Sequence, residues 1–172
     1  MGYTIDFQPH RFDGTTYMGT DPYSRDPAPC LTNNPLTPGE VEAVHAVLRR
    51  ASGRAPDPNG TYHITLDDGL SLRFFAGSLP YGCTLAIDGT TTPLSLARLI
   101  FELLGAGDWV VRGIATGGES IARSLDSVKG NRGTFGPTAV IDAVEDLHFV
   151  LSHGLVAFQQ ETRGMGGRPQ WK

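Results

Sequence analysis

One stretch, Thr92–Ala115 (TPLSLARLIFELLGAGDWVVRGIA), limits the folds open to this chain more than any other. Leu94, Leu96, Ala97, Leu99, Ile100, Phe101, Leu103 and Leu104 occupy nearly the whole circumference of a helix, relieved only by Ser95, Arg98 and Glu102. A helix that is apolar on all sides is buried or covered by a partner. Thr92 stands at its N-cap with Pro93 at the first helical position, and Gly105 and Gly107 end it. Trp109–Ala115 then reads as a continuous apolar strand, interrupted by Arg112, of the kind that fills an interior sheet position. Such a unit demands a surrounding core, and 172 residues supply one within a single domain, 1–172.

The flanking chain shows which elements build that core. Tyr3, Ile5 and Phe7 alternate and predict an edge strand. Thr37-Pro38-Gly39-Glu40 is a capping box, and Val41, Val44, Leu48 and Ala51 follow at helical spacing until Ser52-Gly53. Tyr62, Ile64 and Leu66, then Leu70, Leu72 and Phe74, alternate on either side of Asp67-Asp68-Gly69, a hairpin with the correct turn chemistry. A third strand covers Cys83–Asp88. Beyond the central unit, Thr116-Gly117-Gly118 opens a predicted helix with Ile121, Ala122, Leu125 and Val128 on one face. Pro137–Ser152 is a helix, or a short strand (Thr138–Ile141) running into a helix capped by Asp142; Leu155–Gln160 is a last strand.

Between these elements lies Gln8–Pro35, which holds seven breakers (Pro9, Gly14, Gly19, Pro22, Pro27, Pro29 and Pro35) and reads as an irregular arm laid on the domain surface. Residues 164–172 form a loose tail. Early strands and later helices give an α+β fold. The expectation is a mostly antiparallel sheet of about four to six strands packed by three to four helices, with a long Pro-rich N-terminal arm.

Charge narrows the function classes. The chain carries a net charge of −4, which argues against a nucleic-acid footprint and suits a partner with a basic surface. No apolar run is long enough to cross a bilayer and no signal peptide precedes the domain, so a cytoplasmic protein is expected, with no membrane partner. Cys30 and Cys83 are expected as free thiols. None of His10, His45, His63, His148 and His153 forms a helical i, i+4 pair, and neither cysteine has a ligand at finger spacing; no metal or cofactor is expected.

Two readings of chemistry remain. Gly113–Ser120 (GIATGGES) follows a strand and mimics a phosphate loop, but Glu119 occupies the position where such loops place lysine. Gly117, Gly118 and Ser120 would bind a smaller anion at most. His63 and Cys83 are the one nucleophile–base pair the meander can bring together. With Glu119 and Ser120 they define an alternative reading, a small hydrolase or transferase with its site between the 61–88 meander and the 116–120 glycine turn. The favoured expectation is a non-catalytic protein-binding protein, most specifically an immunity or inhibitor protein that neutralises a bacterial toxin or effector enzyme by direct binding. Its partner-binding candidates are Asp67 and Asp68 at a hairpin tip, Tyr17 and Tyr23 in the arm, and Arg132 and Phe135 in a glycine-rich loop.

Overall fold

The alternation at the N-terminus sends Ile5 and Phe7 to one side, and both are fully buried. In the computed structural model, which describes residues 2–9, 11–20, 25–113, 120–123 and 138–164, this run is strand β1 (Tyr3–Pro9). It is followed in chain order by β2 (Arg11–Thr20), β3 (Pro27–Asn34), β4 (Thr61–Thr65), β5 (Ser71–Phe75), β6 (Cys83–Asp88), β7 (Trp109–Arg112), β8 (Ser120–Ala122) and β9 (Thr138–Val140). Seven of these form one sheet in the order β4–β5–β6–β1–β7–β8–β9, antiparallel throughout except for the parallel pair β8–β9. β1 is therefore the middle strand and not the expected edge. The Phe7 ring explains its place: it sits 5.6 Å from Phe74 and 5.8 Å from Trp109, between the two halves of the sheet.

Four helices are described: α1 (Pro38–Ser52), α2 (Leu94–Ala106), α3 (Val144–His153) and α4 (Leu155–Gly164). α1 starts as its sequence dictates. Thr37 Oγ1 accepts from the Glu40 N–H, the Glu40 carboxylate accepts from the Thr37 N–H at 2.8 Å, and Gly53 ends the helix at φ 67°. α2 lies between α1 and α3 in the helix layer. It buries Leu96, Ala97, Leu99, Ile100, Leu103 and Leu104, so the central unit is indeed the core. Val44 and Leu48 of α1, Leu147 and Val150 of α3, and Leu155 and Phe158 of α4 join the same apolar cluster as the inward side chains of the sheet. The result is an α+β domain with its described helices packed into one core with one face of a mostly antiparallel sheet.

The helix start and two element types differ from the sequence expectations. α2 begins at Leu94, with Pro93 at the cap position. Thr92 instead meets α3: its hydroxyl lies 3.0 Å from that of Ser152 and its carbonyl accepts from His148 Nε2 at 2.9 Å. Ser120–Ala122 is a strand, not the first turn of a helix. All three of its side chains are buried, so the run satisfies either period, and the open edge of β7 decides in favour of pairing. Leu155–Gln160 is helical, because Leu155 and Phe158 recur three apart on the core side and Gly154, at φ 85°, restarts the helix after α3. The cap position of α3 is Ala143, one residue after Asp142. Within the Pro-rich stretch, β2 and β3 pair with each other as a separate two-stranded sheet, with a register shift between Phe12 and Thr16. Of the tail, only Gly164, the last residue of α4, lies within the described residues.

Candidate functional site

The proposed contact residues fare differently. Asp67 and Asp68 sit at the β4–β5 tip, where the Gly69 N–H closes the turn onto the Leu66 carbonyl at 2.8 Å and Gly69 takes φ 85°. Both side chains are exposed, yet Asp68 is committed. One of its oxygens accepts from the Leu70 N–H at 3.1 Å, and the other accepts from the Ser95 hydroxyl, tying the hairpin to the first turn of α2. The Ser95 bond, with that from Leu70, holds the Asp68 carboxyl below its ordinary range. Asp67 is the member of the pair that points outward without such a tie in its turn. On the β2–β3 ribbon, Thr15–Met18 are all exposed, with Tyr17 at 57% and Met18 at 68%. Tyr23, Arg132, Phe135, Gly117, Gly118 and Glu119 lie outside the described residues.

The sheet separates the groups of the enzyme reading. His63 opposes Arg73 on the exposed face of β4–β5, whereas Cys83 opposes Phe7 on the buried face. β5 lies between their strands. Cys83 is a free thiol whose pKa burial, reinforced by Asp6, pushes well up, which makes it a small core hydrophobe. Ser120 falls in a polar cross-strand row, Thr84–Asp6–Arg112–Ser120, on the sheet face opposite the helices. Asp6 accepts from the Thr84 hydroxyl at 2.8 Å. Burial lowers the Arg112 pKa and the Asp6 charge opposes that shift. The row passes from exposed at Asp6 to fully buried at Ser120, whose Oγ has no hydrogen-bond partner among the described residues.

His63 has a different companion. Asp57 Oδ1 accepts from the Asn59 and Thr61 N–H groups, each at 2.9 Å, and Oδ2 lies 3.3 Å from His63 Nε2. With Arg54 they line a shallow hollow of about 390 Å³ beside the edge strand β4. The Asp57 N–H in turn donates to the Thr61 carbonyl, so this loop covers one residue of an otherwise open edge. The bond from Thr61 is the largest cause of a lowered Asp57 pKa; those from His63 and Asn59 add to it, while partial burial opposes them. A carboxylate with a lowered folded pKa stabilises the fold at pH values above its ordinary pKa of about 3.9 and loses that contribution as pH falls through the folded value. Asp57→Asn is therefore expected to melt below the wild type at neutral pH and to converge with it in acid. A melting-temperature series from neutral pH into strong acid checks this; a gap that persists in acid would show that the charge is not what matters. His45 is a positioned core-edge histidine, its Nδ1 2.8 Å from the Tyr62 hydroxyl, and burial raises the Tyr62 pKa.

A larger cleft, about 430 Å³, opens where α2 ends and β7 begins. Its walls include Glu40, Leu104, Ala106, Asp108, Trp109 and Arg123. The last turn of α2 has no basic residue of its own. Arg123, just after β8, supplies the positive charge: its guanidinium carbon stands 4.2 Å over the Phe101 ring, and Gly105 leaves room for Nη1, which a Cβ there would meet at 2.7 Å. Trp109 is 1% exposed, and its indole N–H has no hydrogen-bond partner among the described residues. Sequence reading treated Gly105 and Gly107 as helix stops only. The signal for the cleft was the polar–aromatic pair Asp108-Trp109 directly behind two glycines at a helix–strand junction.

Among the described residues no group of three or more His, Cys, Asp or Glu side chains is placed to hold a metal ion, and no helix is long and apolar enough to cross a membrane. The chain matches no protein-family model, no curated protein and no solved structure.

Proposed function

We propose that this chain is a non-catalytic protein-binding protein that uses the β2–β3 ribbon as its contact element. The observation that carries this reading is the ribbon itself. It is a separate two-stranded sheet whose described outer portion, Thr15–Met18, is exposed and carries Tyr17 and Met18. Two strands alone are at best marginally stable in water, whereas docking on a partner buries their apolar side chains. Aromatic residues and Met are the types enriched at protein interfaces.

The net charge of −4 and the outward Asp67 favour a partner with a basic surface, because complementary fields speed the encounter. In its most specific form the reading is an immunity or inhibitor protein that neutralises a bacterial toxin or effector enzyme in the cytoplasm. Affinity capture with the wild type is expected to yield one stoichiometric basic protein, and adding the chain at a one-to-one ratio is expected to suppress that protein's enzymatic activity. Tyr17→Ser together with Met18→Ser should lose the partner with an unchanged melting temperature, weakening binding by about tenfold or more. Asp67→Lys should mainly slow association at low salt. Retention of the partner by the Tyr17/Met18 variant would remove the ribbon from the interface, and failure to recover any stoichiometric protein would overturn the reading.

A further inference from the structure

The large sheet ends at β4, and the outer side of that strand offers main-chain groups to another strand. We infer that β4 pairs antiparallel with β4 of a second copy of this chain, joining the two sheets across a two-fold axis at Ile64.

Bonds at both ends of the β4–β5 hairpin fix which groups are open. The Leu66 N–H donates to the Leu70 carbonyl and the Ala76 N–H to the Gly60 carbonyl, each at 3.0 Å. Alternation along an antiparallel ladder then turns the main-chain groups of Tyr62 and Ile64 toward β5, and those of Thr61, His63 and Thr65 outward. Thr61 is answered by its own loop: its N–H donates to Asp57 Oδ1 and its carbonyl accepts from the Asp57 N–H, both at 2.9 Å. His63 and Thr65 have no such cover among the described residues, and both are exposed. Native edges are blunted by lysine, proline or a bulge. The run Thr61–Thr65 (TYHIT) has neither residue, and its register with β5 is unbroken.

One register uses both open residues of both copies: His63 of each opposite Thr65 of the other, with Ile64 opposite Ile64. Each His63–Thr65 pair then exchanges N–H···O=C bonds in both directions. The turn at Asp67-Asp68-Gly69 leads the chain away toward β5 just where the other copy's Asp57 loop closes its edge. Helix α1 leaves the seam clear. The Tyr62 hydroxyl meets His45 at 2.8 Å and feels the charges of Glu42 and Arg49, so its ring climbs the flank of α1 turned away from α2; Arg50 reaches Glu102 of α2 from the other side.

Charge favours a second copy over an unrelated strand. Arg54 and Asp67 are exposed, opposite in sign, and neither has an ion-pair partner among the described residues. Arg54 lines the hollow beside the Thr61 end of β4, and Asp67 stands in the turn beyond the Thr65 end. A two-fold antiparallel pairing sets Asp67 of each copy against Arg54 of the other.

The test is sedimentation velocity of the full chain over a concentration series, with no partner protein present. A monomer–dimer equilibrium with a Kd of about 100 µM or tighter is expected, as suits a small interface. Arg54→Asp or Asp67→Arg alone opposes like charges at both ends of the seam and is expected to weaken the dimer at least about tenfold; the two together should restore it to within about threefold. Thr65→Pro removes an outward N–H, a position where an edge strand tolerates proline, and is expected to melt cooperatively and remain monomeric. If it fails to fold, the charge exchange decides. A chain that is monomeric throughout, or a dimer indifferent to the single reversals, overturns the inference. A monomer that loses a captured protein on Thr65→Pro also overturns it and assigns the edge to a strand of that protein. A dimer lost with Tyr17→Ser and Met18→Ser but kept by Thr65→Pro overturns it in favour of the ribbon. The protein-binding proposal stands or falls by its own capture experiment.

Discussion

Leu99→Asp is expected to abolish the cooperative melt, whereas Phe101→Asp, two residues along the same helix, is expected to leave a folded protein. Sequence alone treats the two as equals, since both belong to an all-round apolar helix. The structure separates them. Leu99 is 6% exposed within the core cluster, between helix layer and sheet. An unpaired carboxylate there loses the burial of a leucine, worth about 2–3 kcal/mol, and adds a desolvation cost of about 3–5 kcal/mol. Together these consume most of a typical stability of about 5–15 kcal/mol. Phe101 is only part-buried, and the Arg123 guanidinium covers it. An Asp at 101 forfeits the ring contact but gains a cationic neighbour, for a net cost of about 1–2 kcal/mol. Far-ultraviolet circular dichroism during a thermal ramp reads both variants. Equal loss of the transition in the two would mean that α2 is buried on the Phe101 side as well.

The helix and the meander were legible because each carried redundant signals. α1 had a capping box, a proline at its start, an apolar stripe and a terminal glycine; β4 and β5 had alternation and a turn glycine at the correct place. Ser120–Ala122 was not legible, since a strand buried on both faces has no alternation to read, and its identity depends on the β7 edge beside it. Leu155–Gln160 failed for a related reason: its opening apolar run, Leu155 to Phe158, reads as a strand or a helix alike, and only the burial of Leu155 and Phe158, three apart, tells them apart. The central position of β1 is likewise a matter of pairing. Its alternation was visible, but nothing within seven residues says that both flanks are occupied.

The candidate site was legible in smaller part. Asp67 and Tyr17 are exposed, as their residue types suggest, whereas the tie of Asp68 to Ser95 spans 27 positions of sequence and cannot be read from it. His63 and Cys83 looked pairable because the meander brings their strands close. Strand parity, which alternates faces, then puts them on opposite sides of the sheet. Of the cleft at Trp109 the sequence carried only the Asp108-Trp109 pair, for the same reason that it hid the Ser95 tie. Glu40, Asp108 and Arg123 come from three separate elements and converge only after α1, α2 and the β7–β8 pair are in place.

A second large effect is expected from Gly113→Ala, at the end of β7. Gly113 has φ 81°, and a Cβ there would lie 2.5 Å from the Thr4 carbonyl oxygen of β1. Two costs add. A non-glycine residue held at this φ is strained by about 1–3 kcal/mol. The collision is with main chain, which cannot swing aside as a long side chain can, and relieving it pulls β7 away from the middle strand of the sheet. A total of about 3–5 kcal/mol, at about 2–4 °C per kcal/mol for a chain of this size, lowers the melting temperature by at least about 6 °C. Gly69→Ala is the matched control. Its φ of 85° is nearly the same, but no atom lies within 4 Å of the added Cβ, so it bears the strain alone. The difference between the two melts isolates the close approach of β1 and β7. If both variants melt together, the backbone conformation accounts for the whole loss and the two central strands have room to spare at Gly113.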